Sequence, residues 1–460
     1  MPPRLSSWAS ESLFGAPLSQ ALRDSVAAEG SRQARVESAF TGRPLVSLPL
    51  SSPADARDAV GRARAAHTAW QAVPARERTR WAVRLREQLA IRRTTFLPVL
   101  GHASGLGPAD AAEELRRADD VVRLHTAAAR AHVRLHRVHR AGGGIADCGC
   151  APGGPVVVAS GVDDARPLAS LLEGALPALL CGSTVVTDVD ARSTVTALAV
   201  AAAARGAGLP AGVWQLAVRG VSDGFDASTV RAVLAEHADG IAPQCCLCGP
   251  GGAARSRARP PGLLVVRQDG SVRAAARAAA QACFTRAGRS CAATPVIAVH
   301  TARAADFLRH FLHETRRFPP AGTVLEQRQR APIRAWVDAG TADGARLLVA
   351  GGGPTSCRGL PAPSPTVLVA PSPRHVHAHE VPLGPVAVVA PFTHWAQVID
   401  LARHTGPHLS VFTRARPCLL GPQLAGLPAV HIRYNQAPVA GLPPRSALRG
   451  LAWPHSSPAP

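Results

Sequence analysis

The sequence predicts an α/β protein of more than one domain, built on parallel sheets with helices on both faces. Three observations lead there. The chain has 460 residues and 47% hydrophobic content, enough for two or three true cores. Its first third repeats apolar residues at helical spacing. From Pro155 onward, short β-branched runs alternate with helical ones, as strand, helix and strand do in a parallel sheet.

The helical third is read first. After Ser52-Pro53, the residues Ala59, Ala63, Ala66 and Trp70 recur on one face, and Pro74 stops that run. A second run carries Trp81, Leu85 and Leu89 four apart. A third begins near Pro108-Ala109-Asp110, with Leu115, Ala118 and Val122 inward and Glu113, Glu114, Arg116 and Arg117 expected outward. It is expected to continue as helix through Arg134, Arg137 and Arg140 until Gly142-Gly143-Gly144 breaks it.

The alternating part follows. Strands are expected at Pro155 to Ala159, Ser183 to Thr187 and Gly212 to Leu216, and helices at Pro167 to Leu180, at Thr194 to Ala204 and around Val230, Val233 and Leu234. The crevice at the carboxyl ends of such strands is where a dinucleotide would sit. A second α/β stretch runs from Leu263 to about Phe392, with a closing segment after it.

Composition excludes several classes. No apolar run is long enough to span a bilayer, and the first thirty residues carry Arg4, Glu11, Arg23, Asp24 and Glu29 in place of a signal core, so no membrane association is expected and a cytoplasmic setting is the default. The ten cysteines lack the regular spacing of a secreted scaffold and read as thiols. The formal charge of +20 comes from arginine alone, because the chain contains no lysine. The arginines are spread along the whole length and aromatic residues make up 4%, so nucleic acid is not an expected partner.

One segment carries chemistry: Cys283-Phe284-Thr285-Arg286-Ala287-Gly288-Arg289-Ser290-Cys291 places a cysteine just after a glycine turn, where a thiolate can be presented to a carbonyl. This segment resembles the nucleophile block of the aldehyde dehydrogenase superfamily. Other blocks resemble that family in the same order: Phe40 to Pro44, Leu176 to Val186, Ala207 to Val213, Gly344 to Gly352, Pro365 to Leu368 and Gly384 to Val386. The resemblance implies a Rossmann-like cofactor-binding domain, an α/β catalytic domain and a small oligomerisation element. It divides the chain into 1–130 (the helical part of the cofactor-binding domain), 131–149 (a bridging or oligomerisation segment), 150–257 (the Rossmann-like part), 258–440 (the catalytic domain) and 441–460 (a tail expected to be unstructured).

The resemblance also implies a mechanism. A cysteine, here Cys291, attacks an aldehyde to give a thiohemiacetal, hydride passes to NAD or NADP, and a glutamate-activated water releases the acid. An asparagine amide helps hold the oxyanion. Cys283 matches an earlier, non-nucleophilic cysteine and reads as a packed core thiol. Arg289 stands where the family has glutamine; it reads equally as a group that favours the thiolate and as a surface arginine.

Several helpers are replaced. Ala165, in Asp163-Asp164-Ala165-Arg166-Pro167, falls on the oxyanion asparagine. The general-base block is replaced by Arg257-Ala258-Arg259-Pro260-Pro261-Gly262, and no carboxylate lies between Asp239 and Asp269. Asp188 takes the place of the lysine that contacts the adenosine ribose. It would accept from ribose hydroxyls and repel a 2′-phosphate, so NAD is favoured, with weakened binding. Cys245-Cys246-Leu247 replaces a Gly-Ser-Thr turn, while Gly249 and Gly251 keep a loop able to offer N–H groups to phosphate. The second cofactor glutamate falls on Val381, with Glu380 beside it as the shifted candidate.

Two further constellations have plainer readings. Cys148 and Cys150 with Cys245, Cys246 and Cys248 lack zinc-ligand spacing and read as scattered thiols. His375, His377 and His379 beside Glu380 would share one face if extended, and otherwise belong to a polar loop. The expected function is an impaired NAD(P)-linked oxidation of a small aldehyde, with homo-oligomerisation; the alternative is an inactive relative serving as a binding or scaffolding subunit.

Overall fold

The computed structural model describes residues 16–26, 28, 32–135, 137–139, 145–147, 155–160, 165–220, 225–242, 261–290, 293–318, 327–349, 365–376, 381–382, 384–406, 408–428 and 431–437. These fall into two compact units, the first within residues 1–104 and 108–251, the second within 105–107 and 252–440. The tail at 441–460 lies outside the described residues.

The first unit opens with helix α1 (Ala16–Ser25) and an antiparallel pair, β1 (Gln33–Glu37) and β2 (Pro44–Pro49). Four helices follow: α2 (Pro53–Ala72), α3 (Ala75–Ile91), α4 (Arg93–Ser104) and α5 (Pro108–Leu135). Ser52 caps α2 through a reciprocal box with Asp55, and Pro53 sits in its first turn, where its missing N–H costs nothing. Ala59, Ala63 and Trp70 are buried along α2, and Trp81, Leu85 and Leu89 along α3, as their spacing predicts.

The basic run after α5 differs from the expectation. Helix ends at Leu135, and β3 (Arg137–His139) pairs antiparallel with β4 (Ile145–Asp147). Three successive glycines favour a reversal over a helical continuation. Arg137 therefore begins a strand.

A parallel sheet comes next, from β5 (Val156–Ser160), α6 (Pro167–Cys181), β6 (Thr184–Asp190), α7 (Ala191–Gly206), β7 (Trp214–Arg219), α8 (Phe225–His237) and β8 (Gly240–Ala242), in the order β7-β6-β5-β8. Helices α2 and α8 pack on one face, where Ala56, Ala59 and Ala63 meet Val156, Val158, Val186, Val230 and Leu234. Helices α6 and α7 pack against β5, β6 and β7 as well. Every residue of α6 is buried, which fits its near-continuous apolar sequence. Docking is directional: Trp70 Nε1 donates to the Leu179 carbonyl at 3.1 Å, and Arg78 Nε donates to the Leu180 carbonyl at 3.0 Å at the end of α6.

The second unit holds β9 (Leu263–Val266), α9 (Val272–Phe284), β10 (Val296–His300), α10 (Thr301–Thr315), α11 (Gln327–Ala342), β11 (Arg346–Val349), β12 (Thr366–Val369), β13 (Val386–Phe392), α12 (Trp395–Arg403), β14 (His408–Phe412), α13 (Pro417–Leu424) and β15 (His431–Tyr434). The strands form one sheet in the order β11-β12-β13-β10-β9-β14-β15, parallel except for β11. Alternate residues feed two cores. Leu264, Val266, Ile297 and Val299 meet α9 and α10, and Leu263, Val265, Val296 and Ala298 share the opposite core with Val398 and Leu401 of α12. Among the described residues no helix is long and apolar enough to cross a membrane.

Candidate active site

The turn that leads to Cys291 is built by three successive left-handed residues. Arg286 has φ 52° and ψ 39°, Ala287 has φ 55° and ψ 35°, and Gly288 has φ 63°. Each of the two non-glycine residues costs about 1–2 kcal/mol in that region. Gly288 is required for a second reason, since a Cβ there would overlap the Gly384 carbonyl and come within 2.6 Å of the Cys283 carbonyl oxygen.

Backbone contacts then hold the segment from both sides. Thr294 N–H donates to the Ala282 carbonyl at 3.3 Å, Ala293 N–H to Ser290 at 2.9 Å, and Gly262 N–H to Ala293 at 3.4 Å. Gly262 is tight against this loop, because a Cβ on it would lie 2.8 Å from Thr294 Oγ1. Gly262, at the end of the block expected to replace the general base, thus packs against Ala293 and Thr294, the residues that follow the nucleophile segment. Cys291 itself lies outside the described residues, as do Arg257 to Pro260.

Cys283 is a core thiol. Its Sγ–H donates to the Thr294 carbonyl at 3.1 Å, and complete burial pushes its pKa far above the ordinary thiol range. It is therefore neutral and shielded. Arg289 is not a surface arginine, since it is only 7% exposed. The surface reading of Arg289 is thereby removed, while its place relative to the Cys291 sulfur lies outside the described residues.

Ala165 is fully buried, just before α6. The next residue, Arg166, is buried and its Nη2 donates to Glu173 Oε1, seven residues on and about two turns into the helix that Arg166 precedes. The α6 N-terminus is capped from outside: Glu114 Oε1 accepts from Leu168 N–H at 3.1 Å and Ala169 N–H at 2.8 Å. The sequence reading placed Glu114 outward, yet it is fully buried. A signal existed, because Glu114 lies three residues after Ala111 and four before Ala118, both on the buried face of α5. The carboxylate satisfies orphan N–H groups that no local cap reaches, since Arg166 at the cap position makes no side-chain cap bond.

Asp188 lies near the end of β6 with no exposed surface. Its Oδ1 accepts from Arg219 Nε at 2.9 Å and its Oδ2 from Arg231 Nε at 3.0 Å. The sequence reading left this carboxylate open to a ribose; the structure engages both oxygens with guanidiniums from β7 and α8. Neither arginine was singled out beforehand, and no sequence pattern links positions 188, 219 and 231.

Val381 is 5% exposed and belongs to the apolar core with Leu368, Val386 and Val388. Glu380, Gly249 and Gly251 lie outside the described residues, as do the cysteines at 148, 150, 245, 246 and 248. His375 sits in a 3-10 turn, Pro373–His375, and shares a 2.9 Å hydrogen bond with Ser372. His377 and His379 lie outside the described residues. Among the described residues no cluster of His, Cys, Asp and Glu suits a metal ion.

The model of the "Aldehyde dehydrogenase family" matches residues 26–239 and 262–416. The chain belongs to the aldehyde dehydrogenase family. It is 29% identical over 413 residues to a Mycolicibacterium smegmatis protein named "Putative succinate-semialdehyde dehydrogenase, NADP(+)", covering 84% of this chain and 77% of that one. An NADP-dependent glyceraldehyde-3-phosphate dehydrogenase from Bacillus halodurans, solved with NADP, shares its fold with a TM-score of 0.73 at 18% identity, over 90% of this chain and 89% of that one. An NAD-dependent benzaldehyde dehydrogenase from Corynebacterium glutamicum gives 0.71 at 20%, over 92% and 94%. The family fold, with a Rossmann-like part and an α/β catalytic part, is thus the fold of this chain. The two matched segments are separated by residues 240–261, which include Arg257 to Pro261.

Proposed function

We propose that this aldehyde dehydrogenase relative oxidises a small aldehyde through Cys291 and releases its acyl product slowly. The observation that carries the reading is the strained turn at Arg286, Ala287 and Gly288, wedged against Gly384, which leads the chain to Cys291. Strain of this kind is kept where the surroundings over-determine it, and catalytic turns are the usual place.

The thiolate of Cys291 adds to the aldehyde carbon, and a thiohemiacetal forms. Arg289 supports the thiolate, and the Cys291 N–H is the oxyanion donor that remains when residue 165 is alanine. A bound NAD(P) supplies the two-electron acceptor that turns the thiohemiacetal into a thioester. Loss of one oxyanion donor lowers the rate by about 10²–10³. Loss of the general base lowers hydrolysis by a further 10²–10⁴ or so. A thiol acceptor such as coenzyme A would need neither the glutamate nor an activated water. The relatives include proteins named for NADP and for NAD. A homo-oligomer in the cytoplasm completes the reading.

The test is a panel of aldehydes with NAD or NADP, with and without coenzyme A, comparing the parent with Cys291→Ala. Reduced cofactor that depends on Cys291 supports the reading. Equal turnover by the variant removes Cys291 from the mechanism. One observation favours the alternative of an inactive binding subunit: Asp188, fully buried between two arginines, cannot take up ribose hydroxyls. Absence of both nucleotide binding and turnover would establish that alternative.

A further inference from the structure

We propose that Arg231, held in place by Asp188 and flanked by Arg219, is a phosphate-reading residue that selects a cofactor bearing a 2′-phosphate on its adenosine ribose. The inference rests on the reading of this chain as a nucleotide-linked oxidoreductase, and it reverses the preference for NAD expected from Asp188 alone.

That expectation required an exposed, uncompensated carboxylate. The side chain of Asp188 has no exposed surface, so it offers no oxygen to a ligand, and each oxygen accepts from an arginine Nε. Two guanidiniums against one carboxylate also remove the repulsion that a lone aspartate would exert on phosphate.

Position supports the assignment. Asp188 pairs in register with Ser160 of β5 and Ala217 of β7, so it lies toward the carboxyl ends of three adjacent parallel strands. The crevice beyond those ends is where this class of sheet takes a nucleotide, and the acidic or basic residue after the second strand distinguishes a ribose hydroxyl from a ribose phosphate. In this chain a basic side chain reaches that place from α8. The Arg231 side chain is 20% exposed, and among the described residues it makes its Nε contact with Asp188 and no other. Its two Nη groups remain as donors in a fork, the geometry that suits phosphate oxygens. With Nε fixed by a buried carboxylate, the fork loses little freedom on binding.

The test uses two fragments that differ only in this phosphate, 2′,5′-ADP and 5′-AMP, titrated by calorimetry into the full-length protein. The parent is expected to bind 2′,5′-ADP at least about tenfold more tightly, with an advantage that shrinks as salt rises. Arg231→Gln is expected to bring the two affinities together while 5′-AMP binding is kept. Arg231→Lys, which keeps the charge and loses the fork, is expected to weaken 2′,5′-ADP binding and leave 5′-AMP binding as it is, and it decides the matter if Arg231→Gln does not fold. Equal affinities in the parent, or a preference that survives in full in folded Arg231→Gln or Arg231→Lys, would overturn the assignment alone, whereas no binding of either fragment would overturn it together with the nucleotide-linked reading. Binding of 5′-AMP by the parent, which needs no turnover, tells the two failures apart.

Discussion

Gly288 and Gly384 are in backbone contact: no side chain fits at position 288, because its Cβ would overlap the Gly384 carbonyl. The same glycine holds φ at 63°. Gly288→Ala therefore combines backbone strain with overpacking and should destabilise the second unit by about 2–4 kcal/mol. Denaturant unfolding of parent and variant measures this. A change under about 0.5 kcal/mol would mean that the turn relaxes without effort.

Thiol reactivity should separate the cysteines by environment. Cys283 and Cys181 are buried, whereas Cys418 is exposed. Brief alkylation of the native protein followed by peptide mass spectrometry should mark Cys418 and leave Cys283 and Cys181 untouched. The Cys291 peptide should be labelled faster than Cys418 if Arg289 lowers its pKa.

Arg166 and Glu173 form an ion pair with side chains only 4% and 8% exposed. Breaking it on one side leaves a charge in the core, so Glu173→Gln should cost about 3–5 kcal/mol. Replacing both, as Arg166→Met with Glu173→Leu, should recover most of that loss. A double-mutant cycle by urea denaturation measures the coupling. If the double variant is as unstable as the sum of the single ones, the two charges do not compensate each other.

Acid should destabilise the first unit through His125. Burial lowers its pKa from 6.5 to about 4, and its Nδ1 is buried with no partner among the described residues. The folded state keeps this ring neutral while the unfolded chain protonates, so stability is full above pH 6.5 and falls as pH drops toward about 4. The total loss is on the order of 3 kcal/mol. His125→Met, which strands no polar atom, should be at least as stable at neutral pH and should show a shallower decline in acid. An unchanged slope would rule out His125 as the titrating group.

The helical third and the first parallel sheet were legible because each rests on local periodicity: Trp81, Leu85 and Leu89 are one face of α3, and the valines of β5 and β6 are strand interiors. Cys283 was legible as a core thiol. Glu114 was misread because two adjacent glutamates look like a solvated face, and only the α6 N-terminus, fifty-odd residues on, explains why one turns inward. The Arg137 segment was misread because basic residues tolerate helix and strand alike, and its pairing with Ile145–Asp147 is set by a partner strand and not by local spacing. The pairing of Asp188 with Arg219 and Arg231 joins a strand end, its neighbour and a helix. Such a contact depends on the sheet order, and no run of residues encodes it.

The most direct measurement of the central claim is a rapid-mixing experiment that follows reduced nicotinamide after aldehyde is added to protein saturated with NADP or NAD. Cys291 that reacts but deacylates slowly should give a burst of reduced cofactor close to one equivalent of protein, followed by turnover slower by about 10²-fold or more. Coenzyme A should shorten the slow phase, and Cys291→Ala should abolish the burst. No reduced cofactor from the parent, or the same burst from Cys291→Ala, would contradict the account.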